Sequence, residues 1–196
     1  MFETVFATPP HLFLNYEGDL TDVLNYVKDI DYKDSRTNQS SFNTFIINEP
    51  VFKDLKVFFY DSLRTYVNEV FENDHQYSIT QSWINKSGRG GSHTVHNHPN
   101  SVVSGVFYLQ SDESTGDIVF CRPGGFNEYQ VNGGCTNKFL SDNYICPPKV
   151  GRLILFPSNM PHYVMPNDSD VDRYSLSFNS FPFLPFGSVE NLTLLA

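Results

Sequence analysis

No stretch of the sequence approaches the roughly 18 consecutive apolar residues that a membrane-spanning helix needs. No charged-then-apolar start marks a secretory leader, so neither a span nor a signal peptide is expected. Basic residues are scarce: 13 Lys and Arg stand against 22 Asp and Glu, a formal charge of −9. With no polybasic stripe, that balance disfavours a nucleic-acid partner, because sequence-independent binding needs a cationic face to displace counterions. The three cysteines, Cys121, Cys135 and Cys146, are odd in number and widely spaced. They argue against a disulfide scaffold or a zinc ribbon and for a reduced, cytoplasmic chain. Gly88, Gly90 and Gly91 form a flexible loop rather than a phosphate cradle, since neither a helix start nor a Lys-Ser/Thr pair follows. There is no internal repeat and no low-complexity linker.

What is present suits a globular chain. The 196 residues are 40% hydrophobic and 15% aromatic, enough for a single domain over residues 1–196 with a sizeable core. The first part, about 1–75, reads as helical. Leu20, Val23, Leu24, Val27 and Ile30 recur at helical spacing behind Asp19, a plausible N-cap. A second helix is predicted to start near Asn48, with Pro50 in its first turn and Leu55, Phe58, Phe59, Leu63, Val67 and Val70 on one face. From about 76 to 185 the chain turns to short runs of Val, Ile, Phe and Tyr punctuated by Gly, Pro, Asn and Asp. Strands are predicted at 77–85, 94–98, 102–110, 117–121, 129–131, 143–146, 151–156, 162–165 and 172–181. Short strands at this spacing predict a mainly β fold, a jelly roll or barrel with the helices packed on one face.

Three of the six histidines fall within residues 93–98. Alternation along a strand puts His96 and His98 on one face and His93 on the other. Neutral imidazoles are common ligands of divalent transition metals, but two do not hold iron or zinc well. His162 is the best third candidate: it opens a strand after a turn stiffened by Pro157 and Pro161, which would fix its direction. Further on, Arg173, Ser175, Ser177 and Asn179 share one strand face, opposite Tyr174, Leu176 and Phe178. An arginine beside hydroxyls on one face makes a good carboxylate clamp, because its planar fork gives two parallel charge-assisted hydrogen bonds.

Taken in order, His96-x-His98, then Ser104-Gly105-Val106-Phe107-Tyr108-Leu109, then residues 151–158 leading to His162, then Arg173-x-Ser175, this pattern resembles the 2-oxoglutarate and Fe(II)-dependent oxygenase superfamily. It resembles in particular a bacterial and phage branch with His-Pro-Asn-Ser followed by Ser-Gly-Val-x-Tyr. The likeness runs from about 82 to 181. It implies a double-stranded β-helix, metal histidines at His96 and His162, and a clamp on the 2-oxoglutarate C5 carboxylate at Arg173 with Ser175. It also implies Fe(II), 2-oxoglutarate and dioxygen as the cofactor and co-substrates, with hydroxylation of a small-molecule or peptidyl substrate as the usual outcome. Most of the superfamily has Asp or Glu where this chain has His98. A third imidazole there leaves the site one unit more positive and shifts its metal preference; a water or a remote acid is the alternative occupant. Tyr108 is placed to hydrogen-bond the co-substrate, and Trp83 and Asn85 to line the substrate side.

Two other readings compete. One is a three-histidine zinc or nickel enzyme of cupin type, in which bound water reaches a pKa of about 7; Arg173 and Ser175 are superfluous to it. The other is a non-catalytic jelly-roll binding module with structural histidines. Residues 181–186, Phe-Pro-Phe-Leu-Pro-Phe, would either cap the core or meet a second subunit in a homodimer.

Overall fold

In the computed structural model, which describes residues 11–123 and 141–183, the two apolar stripes form two helices. The predicted strand at 129–131, Cys135 and residues 184–186 lie outside the described residues. Helix α1 (Thr21–Asp29) buries Val23 and Val27. Asp19 accepts hydrogen bonds from the Thr21 N–H and hydroxyl, at 2.9 and 2.6 Å, so it serves the helix start one residue ahead of the geometric cap, Leu20. Helix α2 (Lys53–Phe71) begins later than its apolar stripe predicts. Two 3-10 turns, Ile46–Asn48 and Pro50–Phe52, come first, with Glu49 extended between them at φ −66° and ψ 141°. The proline ring bars its predecessor from helical geometry, which explains the break.

The strands are β1 (Leu12–Asn15), β2 (Tyr32–Ser35), β3 (Asn38–Ser41), β4 (Tyr77–Ser87), β5 (His93–His96), β6 (Val103–Gln110), β7 (Ile118–Cys121), β8 (Asn143–Cys146), β9 (Arg152–Pro157), β10 (His162–Val164) and β11 (Arg173–Pro182). They make a seven-stranded sheet in the order β1-β9-β6-β11-β4-β3-β2 and a four-stranded sheet in the order β5-β10-β7-β8. Sequence reasoning did not foresee β1, β2 or β3.

Alternation on β6, β9 and β11 sorts side chains into two cores. Phe107, Leu109, Leu153, Leu155, Leu176 and Phe178 point outward and pack under the helices with Leu55, Phe59, Leu63 and Val67. Phe59 stacks on Phe178, ring centres 5.1 Å apart. Removing such side chains from water contributes about 1.5–3 kcal/mol each. The residues in between, Val106, Tyr108, Ile154 and Phe156, point inward and meet Ile118, Phe120 and Cys146 of the smaller sheet. The fold is the expected mainly β, double-stranded β-helix with helices on one outer face. No helix among the described residues is long and apolar enough to cross a membrane.

Candidate metal centre

β10 lies between β5 and β7 in the smaller sheet, with His162 directly opposite His96. Two residues along β10, Val164 pairs with His93, three residues back along β5. The extra residue is a β-bulge, and it corrects a reading made from alternation alone. His93 does not sit on the opposite face; the bulge turns it to the same side as His96, with ring centres 4.1 Å apart. His98 follows past the end of β5, where its backbone N–H donates to the Ser158 carbonyl at 2.8 Å.

His96, His98 and His162 converge. Their ring centres are 4.2 Å (96–162), 5.3 Å (96–98) and 5.1 Å (98–162) apart. One ligand nitrogen from each lies within 4.8 Å of the others. Each ring is oriented by its Nδ1. His96 Nδ1–H donates to the Thr94 carbonyl at 2.8 Å and His162 Nδ1–H to the Met160 carbonyl at 2.9 Å. His98 Nδ1–H donates to Asn179 Oδ1 at 2.5 Å, with the Ser104 hydroxyl 2.9 Å from the same nitrogen. With Nδ1 occupied, Nε2 of each ring is the free lone pair, the arrangement that fixes a metal-binding tautomer. Burial holds the rings neutral: it pushes His96 down to about 4 and His162 to about 3, and it lowers His98 as well. Three uncharged, aligned nitrogen donors fit a divalent transition metal. Among the described residues lining the pocket there is no carboxylate.

The same pocket holds the other predicted residues: Tyr108, Arg173, Ser175, Trp83 and Asn85 all line it. Arg173 is 4% exposed. Its NH1 donates to the carbonyls of Thr115 (2.7 Å) and Gly116 (2.8 Å), and its NH2 to the Ser87 hydroxyl (3.1 Å). A guanidinium carries five donors, so two stay without a partner among the described residues, on a fork locked in position. Ser175 lies on the same strand face and pairs in register with Tyr108 of β6 and Asn85 of β4. Tyr108 is buried, which pushes its phenol up, while the nearby Arg173 charge opposes that. Trp83 Nε1–H donates to Asn85 Oδ1 at 3.2 Å, and Asn85 Nδ2–H donates to the Ser177 hydroxyl at 3.0 Å.

Four contributors went unrecognised. Ser87 anchors Arg173, Ser104 and Asn179 hold His98, and Asn38 lines the pocket from β3. Asn179 had a visible signal, since it shares the Arg173 face of β11. Ser104 opens the Ser-Gly-Val-x-Tyr phrase, which marked its place but not its role; Ser87 had no signal, and Asn38 lies in a strand with no apolar alternation.

Residues 81–179, just over half of the chain, match the family model described as "Putative 2OG-Fe(II) oxygenase". No curated protein matches the chain in sequence. Among solved structures, an oxidoreductase of the 2OG-Fe(II) oxygenase family from Burkholderia pseudomallei aligns over 87% of this chain and 83% of its own, at 14% identity and a TM-score of 0.63. HygX from Streptomyces hygroscopicus, solved with nickel, 2-oxoglutarate and hygromycin B bound, aligns over 89% and 84%, at 12% identity and a TM-score of 0.65. A Trichoplax adhaerens prolyl hydroxylase, in complex with a hypoxia inducible factor oxygen degradation domain peptide fragment, aligns over 89% and 84%, at 18% identity and a TM-score of 0.62. At these identities the likeness is one of fold.

Proposed function

The chain belongs to the 2OG-Fe(II) oxygenase family, and on that premise we propose that it is a 2-oxoglutarate-dependent hydroxylase whose metal ligands are His96, His98 and His162. The observation that carries the reading is the convergence of three Nδ1-anchored imidazoles in one pocket with a buried, immobilised arginine. Fe(II) held there supplies the oxidative chemistry in which 2-oxoglutarate is decarboxylated to succinate and one atom of dioxygen enters a substrate C–H bond.

This chain's residues bind and orient. The two open donors of Arg173 grip the C5 carboxylate of 2-oxoglutarate, and the Ser175 hydroxyl adds a third hydrogen bond. The Thr115, Gly116 and Ser87 contacts hold that fork before the ligand arrives, so little ordering is left to binding. The Tyr108 phenol stays protonated in its buried position and donates to the co-substrate. Ile118, Phe156 and Val164 line the pocket with apolar surface and keep water from the reacting centre. Trp83 and Asn85 form the wall toward the prime substrate. That substrate is a small molecule or a peptidyl group, as in the structural neighbours solved with hygromycin B and with a peptide fragment. One oxygenase domain spans the chain, and it acts in the cytoplasm.

Anaerobic titration tests this. Fe(II) followed by 2-oxoglutarate should produce a visible metal-to-ligand charge-transfer band in the wild type. In Arg173→Ala the band should need at least tenfold more 2-oxoglutarate. Zinc retained through purification, with no band after exchange into Fe(II), would instead favour a zinc enzyme built on the same three histidines.

A further inference from the structure

Arg173 is held by three acceptors that stand on two different segments: the Ser87 hydroxyl at the end of β4, and the Thr115 and Gly116 carbonyls in the turn before β7. Ser87 lies opposite Arg173 in the β4–β11 register. Both segments meet a third, the link between β10 and β11, and they meet it around Asn167. That residue is fully buried and does not belong to the pocket lining.

Asn167 Nδ2 donates to the Ser87 carbonyl at 2.8 Å and to the Val171 carbonyl at 2.9 Å, and its Oδ1 accepts from the Ser169 N–H at 2.8 Å. A carbonyl only accepts and a backbone N–H only donates, so the amide can face no other way. Its backbone closes two more bonds. The N–H donates to the Gly91 carbonyl at 2.9 Å, and the carbonyl accepts from the Gly90 N–H at 2.7 Å. One side chain thus ties the strand end that bears Ser87 to Val171, two residues before Arg173.

The turn that carries the other two acceptors is clasped by the same link. The Asp168 N–H donates to the Ser114 carbonyl at 2.9 Å, and the Met165 N–H to the Asp117 carbonyl at 2.9 Å. Gly116, at φ 85°, lies so close to the link that a Cβ there would collide with the Met165 and Pro166 carbonyl oxygens. These contacts all fall within two residues of Asn167. A shift of the link would therefore move all three acceptors of the guanidinium together. A displacement of about 1 Å in a positioning group can cost about a hundredfold.

We propose that Asn167 is a positioning residue for the co-substrate: by pinning the β10–β11 link to the end of β4 it fixes the direction of the Arg173 fork, and so sets the affinity for the distal carboxylate of a 2-oxo dicarboxylic acid. This rests on the oxygenase reading, in which Arg173 grips the C5 carboxylate of 2-oxoglutarate. Asn167 acts through Arg173 and takes no part in holding the metal.

The test compares 2-oxoglutarate with 2-oxobutyrate, which has the same 2-oxo acid end and lacks the C5 carboxylate. The full chain, loaded anaerobically with Fe(II), is titrated with each acid, and the charge-transfer band reads the dissociation constant. The wild type should bind 2-oxoglutarate at least about tenfold more tightly than 2-oxobutyrate. In Asn167→Ala that preference should fall by about tenfold, with Fe(II) and 2-oxobutyrate affinities within about twofold of wild type. Asn167→Ser, whose hydroxyl can still donate to one carbonyl, should lie between. A residue that only stabilised the fold would lower the melting temperature and leave the preference intact; that result overturns the proposal. The wild type supplies a second arm that decides even if both variants misfold. In nitrogen-15 labelled protein loaded with Zn(II), a carboxylate on Arg173 repolarises the bonds that run through Ser87. The Asn167 side-chain amide resonance, identified by its Overhauser contacts to Val171, should therefore move with 2-oxoglutarate and stay in place with 2-oxobutyrate. An equal response to both acids, or none to either, overturns the proposal. No band with either acid in the wild type overturns the oxygenase reading. A band without preference in the wild type overturns the Arg173 clamp and this proposal with it. A wild-type preference kept in Asn167→Ala overturns only this proposal.

Discussion

At position 98 an imidazole occupies a place where a carboxylate would lower the charge of the candidate metal site, and its surroundings are built for the imidazole. Asn179 Oδ1 accepts from both His98 Nδ1–H and the Ser104 hydroxyl, while Asn179 Nδ2–H donates to Gln81 Oε1 at 3.2 Å. Ser104 is in turn 2.8 Å from the Ser158 hydroxyl, which is 2.7 Å from that of Ser101. The His-Pro-Asn-Ser phrase and the strand after it are thus joined into one hydroxyl chain that ends on His98. If the chain sets the direction of a ligand, breaking it should weaken the metal without touching a ligand atom. Loss of such outer partners typically costs about 10–100-fold in affinity. Asn179→Ala is therefore expected to weaken Zn(II) or Fe(II) binding by about that factor in a competition titration. Asn179→Asp keeps the acceptor and adds negative charge near the cation, so it should recover the lost affinity. Unchanged affinity in Asn179→Ala would mean that His98 is not oriented by this network.

At the level of elements, β6 shows how tightly the sheet is matched to the helices above it. Gly105 lies opposite Phe178 in the β6–β11 register. A methyl group at Gly105 would come within 2.4 Å of the Phe178 ring and 3.1 Å of Leu155. The ring cannot retreat, because Phe59 of α2 is stacked on its other side. Overpacking of this kind costs about 1–3 kcal/mol. Gly105→Ala should lower the thermal midpoint by several degrees in a calorimetric scan, and Gly105→Ala with Phe178→Leu should recover part of the loss. The same elements show what a sequence reveals. β6 and β9 were legible because a buried sheet with two covered faces writes apolar residues in both phases, and β11 because its apolar and polar residues alternate strictly from Arg173 to Asn179. β2 and β3 read Tyr-Lys-Asp-Ser and Asn-Gln-Ser-Ser, with no apolar period to mark them. Their pairing is set by the edge of β4 rather than by their own composition. The β5 bulge was hidden for a related reason. Strict alternation assumes that every residue is paired, and nothing local in Thr94-Val95 announces the extra one.

For the whole molecule, the candidate site is assembled from segments far apart in sequence, and its legible part is the part whose chemistry is unusual residue by residue. Three imidazoles and an arginine beside serines stand out anywhere in a chain. The amide and hydroxyls that orient them, Asn179, Ser87 and Ser104, are ordinary residues given meaning only by contacts across the fold, such as the 81-residue separation of His98 and Asn179. That assembly has a pH signature. In the unfolded chain each imidazole titrates near 6.5. In the folded, metal-free protein burial moves His96 to about 4, His162 to about 3, and His98 downward. His11, packed on Phe120, is likewise pushed to about 4. Between pH 6.5 and about 4 the unfolded state therefore binds more protons than the folded one, and stability must fall as pH falls through that window. Above pH 6.5 the slope from these groups fades, and it is nearly gone by about pH 7.5. Asp19 and Asp112, lowered from 3.8 by hydrogen bonds to Thr21 and Ser169, exert their effect at lower pH and do not obscure it. The folded site behaves differently toward metal. His96 and His162 are already neutral at pH 5.5, and burial shifts His98 the same way, so few protons have to leave for a cation to bind. Three histidines with ordinary pKa values would lose roughly a thousandfold in affinity between pH 7.5 and 5.5. Here the dissociation constant for Zn(II), measured by competition with a chelator of known pH dependence, should change less than about tenfold over that interval. A thousandfold change would mean that the three rings titrate as exposed histidines, and that burial does not hold them ready for the metal.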